Sequence, residues 1–204
     1  WNREAVVLPP PVDISRFAPQ ADKDDAYLTV SRLVPYKRHD LMVQAFAAMP
    51  DRRLRIVGDG PMRESLQRNA PSNVEFLGAL PDAEVAALMA RARAFVFAAH
   101  EDFGIVPVEA QACGTPVIAY GAGGVLDTVR PWPGPDASGV FFDAQTPESL
   151  VDAVHRFEQV ASGFDARALR AHAERYANAQ FRQTLADIVG QAFRQARPAG
   201  YSAH

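Results

Sequence analysis

Ala94-Phe95-Val96-Phe97-Ala98-Ala99-His100-Glu101-Asp102-Phe103-Gly104-Ile105-Val106-Pro107-Val108-Glu109-Ala110-Gln111-Ala112-Cys113-Gly114-Thr115-Pro116-Val117-Ile118-Ala119 holds a whole strand–helix–strand unit. Ala94–Ala98 is a short apolar run, the pattern of a parallel strand buried on both faces. A helix fits from about Pro107 to Cys113, where Gly114 supplies the stop. Pro116–Ala119 turns apolar again and reads as the next strand. Two such strands joined through a helix run parallel, with a right-handed crossover.

Outward from this unit the alternation repeats. Ala26–Ser31, Leu54–Val57 and Val74–Phe76 are strand candidates before it, and Gly139–Phe142 is one after it. His39–Met49 places Leu41, Ala45 and Ala48 on one helical stripe, with Met42, Phe46 and Met49 on its flank. Pro81–Arg93 opens on proline, puts Asp82 and Glu84 at the positive end of the helix dipole, and offers Val85, Leu88 and Met89 for burial. Helices also fit Pro147–Glu158, Ala166–Tyr176 and Phe181–Arg194. Ala5–Leu8 is a further strand candidate, closed by Pro9-Pro10-Pro11, and residues 12–25 read as loop or linker. The expected fold class is therefore α/β, a doubly wound, Rossmann-like parallel sheet. The expected divisions are a strand and linker region over 1–25, the α/β domain over 26–178, and a C-terminal helix and tail over 179–204, with 195–204 fraying.

Composition narrows the class of molecule. The 204 residues suit one domain, and 48% hydrophobic with 22% charged residues suffices for a globular core. A formal net charge of −3 argues against nucleic acid as a partner, because such surfaces carry a basic face. The single cysteine, Cys113, allows no intrachain disulfide and no cysteine zinc cluster, which fits a reducing, cytoplasmic setting. No run approaches the roughly 18 apolar residues that span a bilayer. Trp1-Asn2-Arg3 has neither an initiator Met nor a signal-peptide pattern, so the chain reads as a piece of a longer protein.

In a doubly wound sheet the ligand binds beyond the carboxyl ends of the strands. Loops 32–38, 58–61, 78–81, 99–105 and 120–124 should gather there. Arg32 and Lys37 flank Leu33-Val34-Pro35-Tyr36 and would make a diphosphate clamp, one by a planar fork and the other as a point charge, with Arg38 sharing the field; the alternative is a set of ordinary solvated surface cations. Gly58-Asp59-Gly60-Pro61 either brings backbone close to a ligand or is simply a tight βα turn. It is not a dinucleotide fingerprint, and the chain has no G-x-x-x-x-G-K-[ST] phosphate loop. Glu109, set among Ile105, Val106, Val108 and Ala110, must offset its desolvation by binding something. Together with Glu101 it offers carboxylates of the kind that accept paired hydrogen bonds from the hydroxyls of a ribose or hexose. Phe103, Gly104 and Ile105 would expose backbone N–H groups at a helix N-terminus, a seat for phosphate. The alternative is a Glu109 salt-bridged on an exposed helix face and a Glu101 that is a loop charge. His39 and His100 read as helix-start and loop residues, Cys113 as a small buried side chain, Asp102 as a helix cap, and Trp132 as part of a rigid surface loop.

Taken whole, 101–119 resembles the Glu-x7-Glu signature of family 4 retaining glycosyltransferases of the GT-B fold, here Glu101 to Glu109. Val30-Ser31-Arg32-Leu33-Val34-Pro35-Tyr36-Lys37 is similar to that family's phosphate loop, with Ser31 in place of the usual glycine. Val57–Pro61 resembles its second loop, and Phe76-Leu77-Gly78 with Asp82 resembles its base-binding loop. Gly114–Ala119, Gly123-Gly124, Pro11-Val12-Asp13 and Arg16-Phe17 complete the order, so the likeness covers about residues 6–130. Ala98-Ala99 and Gln111 depart from the usual Pro-Ser and apolar residue.

The resemblance implies the donor-binding, C-terminal half of such an enzyme, with the acceptor-binding N-terminal domain outside this chain. It implies that Arg32 and Lys37 hold the donor diphosphate, Glu101 the hydroxyls of the transferred sugar and Glu109 those of the ribose. Phe103, Gly104 and Ile105 would meet sugar and phosphate, Gly58 would lie close by, and Gly78 to Leu80 would meet the base. No cofactor and no metal are implied, since cationic side chains and helix dipoles serve instead. The wording of 34–40 and 101–107 is most similar to mannosyltransferases of bacterial surface-polysaccharide assembly of the O-antigen type. That implies a GDP-mannose donor, a glycan or lipid-linked acceptor, and peripheral contact of the full-length protein with the inner membrane face. A non-catalytic nucleotide-binding module and a GT-B-type sugar-nucleotide epimerase are the competing readings. A dehydrogenase lacks its glycine fingerprint here.

Overall fold

In the computed structural model, which describes residues 5–196, all six apolar runs from Ala26 onward lie in one parallel sheet. The strands are β1 (Ala26–Val30), β2 (Arg53–Val57), β3 (Val74–Gly78), β4 (Phe95–Phe97), β5 (Val117–Tyr120) and β6 (Gly139–Phe142). Their order is β3-β2-β1-β4-β5-β6. The helices are α1 (His39–Ala47), α2 (Arg63–Arg68), α3 (Asp82–Arg91), α4 (Ile105–Ala112), α5 (Val125–Thr128), α6 (Pro147–Val160), α7 (Ala166–Ala173) and α8 (Asn178–Ala196).

Period-two alternation sends strand side chains into two separate layers. Tyr27, Leu54, Ile56, Val96 and Ile118 pack with Phe46 of α1 and with Leu150, Val154 and Phe157 of α6. Leu28, Val57, Phe95, Phe97 and Val117 pack with Met89 of α3 and with Val108 and Ala112 of α4. Each fully buried Leu or Phe contributes about 1.5–3 kcal/mol, so covering both faces is what holds the strands parallel. β1 has β2 on one side and β4 on the other. Successive crossovers thus change direction at β1 and open a crevice at the carboxyl ends of these two strands.

Several local readings shift. Ala5–Leu8 is not a strand: Val6 and Val7 are 72% and 87% exposed, and residues 5–11 join no ladder. Apolar sequence alone does not make a strand where no neighbouring edge is in reach. The first pairing is instead a bridge between Val12 and Ala177. α4 begins two residues ahead of Pro107, because the first turn of a helix has no intrahelical use for the N–H that proline lacks. Its N-cap is Gly104 in the left-handed region, φ 85°, and no side chain caps it, so Asp102 is not the cap. α7 tightens into a 3-10 turn over Glu174–Tyr176, and α8 starts at Asn178, ahead of Phe181. Ala48 lies beyond α1 and is exposed, and Val85 and Leu88 are only half-buried. α5 is too short to leave a periodic signal.

Gln111 is fully buried, and its amide donates to the carbonyls of Pro107 and Thr128 at 3.0 and 2.9 Å, tying α4 to α5. Trp132 packs on Phe164 with ring centroids 5.8 Å apart. Cys113 is buried, which pushes its thiol up to about 12 and leaves it without nucleophilic character. The reading of Trp1-Asn2-Arg3 lies outside the described residues, as does the tail from 197 onward.

Candidate functional site

The five loops expected along one edge all leave carboxyl ends of parallel strands, and their backbones are laced together. The N–H of Leu33 donates to the carbonyl of Asp59 at 2.9 Å, and that of Gly58 to the carbonyl of Gly78 at 2.8 Å. The N–H of Gly124 donates to the carbonyl of Glu101 at 2.8 Å, beside a bridge between Glu101 and Gly123. Such closeness needs residues without Cβ. A Cβ on Gly60 would stand 2.5 Å from the Leu33 carbonyl oxygen, and one on Gly124 2.1 Å from that of Asp102. Gly58 and Gly60 are therefore required by loop-on-loop packing, the tight-turn reading of this segment, whatever they also meet.

After β1 the chain makes a 3-10 turn over Pro35–Lys37, and Arg38 then takes a left-handed conformation, φ 56°, to start α1. This reversal carries Lys37 back over the crevice, where its ammonium pairs with the Glu101 carboxylate from the tip of β4. Both side chains are largely buried, at 14% and 23% exposed. Arg32 is exposed and makes no side-chain hydrogen bond or ion pair among the described residues. Arg38 has partners of its own: its guanidinium donates to Gln145 Oε1 at 3.2 Å and to Asp40 Oδ1 at 3.4 Å.

Glu109 sits on the second turn of α4 with its side chain 14% exposed. Burial raises its carboxyl above the usual range, and the hydrogen bond from Arg16 Nη2, at 3.0 Å, offsets only part of that rise. Arg16 also pairs with Asp82 at the start of α3. Glu109 is thus salt-bridged, but not on an exposed helix face. Phe103 lies edge-on to Tyr176 with centroids 5.5 Å apart, Gly104 is buried, and Ile105 is 46% exposed at the helix start. With no side-chain cap on α4, its first N–H groups remain available to an acceptor. Gly78 is buried in the left-handed region, φ 72°, under the Arg63 guanidinium. Leu80 packs its side chain on the core, so its backbone is what the loop can offer.

The structure brings Lys37 and Glu101 into contact and sets Glu109 on the helix that follows the Glu101 loop. Arg16 was given no site role in the sequence reading. It stands 93 residues from Glu109, and no local pattern announces such a pair.

His39 also has a part. It is fully buried, its Nε2 is 3.1 Å from Ser31 Oγ, and its Nδ1 has no partner among the described residues. Burial, then the Lys37 charge, push its pKa down from 6.5 to about 4. A folded value below the unfolded one means that protons bind the unfolded chain first. This contribution is therefore complete above about pH 6.5 and is lost as pH falls toward 4, reaching about 3 kcal/mol. Urea unfolding of His39→Gln should show a shallower loss of stability across that window. An equally steep loss would place the proton uptake elsewhere. Among the described residues no three His, Cys, Asp or Glu side chains gather as a metal site, and no helix is long and apolar enough to cross a membrane.

Comparison with known proteins adds the following. Residues 12–179 match the family model described as glycosyl transferases group 1. A GDP-mannose-dependent monoacylated alpha-(1-6)-phosphatidylinositol monomannoside mannosyltransferase of Corynebacterium glutamicum is 35% identical over 199 residues, covering 82% of this chain and 51% of that protein. A D-inositol 3-phosphate glycosyltransferase of Segniliparus rotundus is 32% identical over 203 residues, covering 83% and 43%. The chain thus spans about half the length of these relatives. Among solved structures, sucrose-phosphate synthase of Thermosynechococcus elongatus superposes with a TM-score of 0.78 at 24% identity, over 94% of this chain and 53% of that one. Anabaena HepE in complex with UDP and glucose gives 0.76 at 22% identity, over 91% and 56%. At that identity the likeness shows the fold alone.

Proposed function

This chain belongs to the glycosyl transferases group 1 family, and from that premise we propose that it is the donor-binding half of a retaining GT-B mannosyltransferase that uses GDP-mannose. The single observation that carries the reading is the meeting of Lys37 and Glu101 over the crevice between β1 and β4, with Glu109 on the helix behind. In this reading Lys37 is the anion-binding cation, Glu101 the sugar-binding carboxylate and Glu109 the ribose-binding carboxylate of that crevice. The GDP-mannose dependence carried in the name of the Corynebacterium relative supports the choice of donor.

In this reading the donor diphosphate lies between Arg32, Lys37 and the N-terminus of α4. Its charge draws Lys37 from Glu101 and frees that carboxylate for the hydroxyls of the mannosyl group. As the glycosidic bond lengthens, charge grows on the leaving diphosphate. Fixed cations and N–H dipoles then stabilise the transition state more than the ground state. The acceptor oxygen attacks from the face the diphosphate leaves, through an oxocarbenium-like state, and configuration is retained. Acceptor binding belongs to the other half of the full-length enzyme. The name of the Corynebacterium relative supports a lipid-linked acceptor, and the proposal has the full-length protein meet it at the inner membrane face.

Calorimetric titration with GDP, GDP-mannose, UDP and ADP, first without and then with magnesium, tests this. The guanosine ligands are expected to bind selectively, and magnesium to change nothing. A preference for UDP would transfer the proposal to a uridine donor. If neither this chain nor the full-length protein bound any of them, the donor-site reading would be wrong.

A further inference from the structure

A carboxylate that is to accept two hydroxyl hydrogen bonds has to be ionised, and the surroundings of Glu109 oppose that. Val108 and Ala110 on either side are fully buried, and the side chain itself is 14% exposed. The one cation on it comes from far away in sequence: Arg16 Nη2 donates to Glu109 Oε1 at 3.0 Å. The other arm of the same guanidinium, Nη1, pairs with Asp82. The Arg16 side chain, 43% exposed, thus bridges Glu109 and the exposed Asp82, engaging one Glu109 oxygen while Oε2 takes no hydrogen bond among the described residues.

An arginine in such a place could simply fasten the 12–17 segment to the domain. That segment is already fastened without it. Val12, Ile14 and Phe17 are buried, and the Val12 N–H donates to the Tyr176 carbonyl at 2.8 Å. Arg170 Nη1 donates to the carbonyls of Ile14 and Phe17 at 3.1 and 2.6 Å. The anchoring therefore uses the apolar side chains of the segment and its backbone, while the Arg16 side chain reaches past them to the two carboxylates.

We propose that Arg16 is a positioning residue for nucleotide binding, holding Glu109 ionised with Oε2 presented to the ribose hydroxyls. The proposal rests on the reading of Glu109 as the ribose acceptor. Burial raises the Glu109 carboxyl and Arg16 lowers it. Removing the guanidinium should therefore let Glu109 protonate at higher pH and lose its hold on ribose on the acid side first.

The test compares GDP with 2′,3′-dideoxy-GDP, by calorimetry from about pH 5 to pH 8, on the unaltered chain, Arg16→Met, Arg16→Lys and Glu109→Gln. The unaltered chain should prefer GDP by about tenfold or more, as hydrogen bonds to a charged acceptor imply. In Arg16→Met the preference should collapse near pH 5 and recover toward pH 8. Arg16→Lys, which keeps the charge but not the fork, should fall between them, and it serves alone if the Met variant does not fold. A merely structural bridge would lower the melting temperature and leave the GDP preference and its pH profile as they are. That result in both Arg16 variants overturns the proposal while Glu109 keeps its role. If instead the unaltered chain does not distinguish the two nucleotides, or Glu109→Gln still does, the ribose assignment falls and the role of Arg16 falls with it.

Discussion

Lys37→Met is expected to weaken GDP binding about 10- to 100-fold and to lower turnover of the full-length enzyme about 10²- to 10³-fold. The first figure follows from losing a charge-assisted hydrogen bond to phosphate, worth about 1.5–3 kcal/mol. The second follows from removing a preorganised positive group where charge develops in the transition state. The fold should also lose stability, because removing the cation leaves a Glu101 carboxylate that is only 23% exposed without its partner. The pairing of Lys37 with Glu101 makes a sharper version available. If Lys37 served only to neutralise Glu101, adding Glu101→Gln to Lys37→Met would restore GDP affinity. If Lys37 meets the diphosphate itself, affinity stays low in the double variant. Isothermal titration of the three variants decides between these, and affinity unchanged in Lys37→Met alone would end the clamp assignment.

Gly58→Ala is expected to destabilise the fold by about 2–6 kcal/mol. Gly58 adopts φ 128°, and a Cβ there would stand 1.9 Å from the Ser31 carbonyl oxygen. An unfavourable backbone conformation costs about 1–3 kcal/mol, and forcing an atom into packed surroundings costs about 1–3 more. The clash is with backbone at the end of β1, so no rotamer change relieves it, and the displaced Ser31-Arg32 segment should take GDP affinity down as well. Gly190→Ala in α8 is the contrast, since a Cβ there would meet only the end of the Arg194 side chain at 3.4 Å. It should stabilise by about 0.5–1 kcal/mol, the usual gain from replacing glycine inside a helix. Urea unfolding midpoints of the two variants measure both. A Gly58→Ala midpoint like that of the unaltered chain would mean that the β1 and β2 loops are not packed as described.

The alternation of strands and helices, the parallel sheet and the edge carrying Arg32, Gly58, Gly78, Glu101 and Gly104 were all legible in the residue order. The signals are local ones: apolar runs of strand length, three-to-four periodicity, and Gly or Pro where an element must stop. Ala5–Leu8 failed because a strand needs a neighbour that its own residues cannot specify. The partners of Arg38 could not be read, because its nearness to Lys37 in sequence says nothing of Gln145, which the fold places on its guanidinium. Glu109 could be singled out as a desolvated carboxylate from the apolar residues around it. That its cation would be Arg16 could not be read, since the two are 93 residues apart and meet only because the 12–17 segment packs on the same face of the sheet as α4. Likewise Lys37 and Glu101, 64 residues apart, meet because the strand order sets β1 beside β4. Periodicity and turn chemistry act over a few residues and so determine the elements and the ends on which the chemistry sits. Which charges face each other depends on strand order, and that is settled only when both faces of the sheet are buried at once.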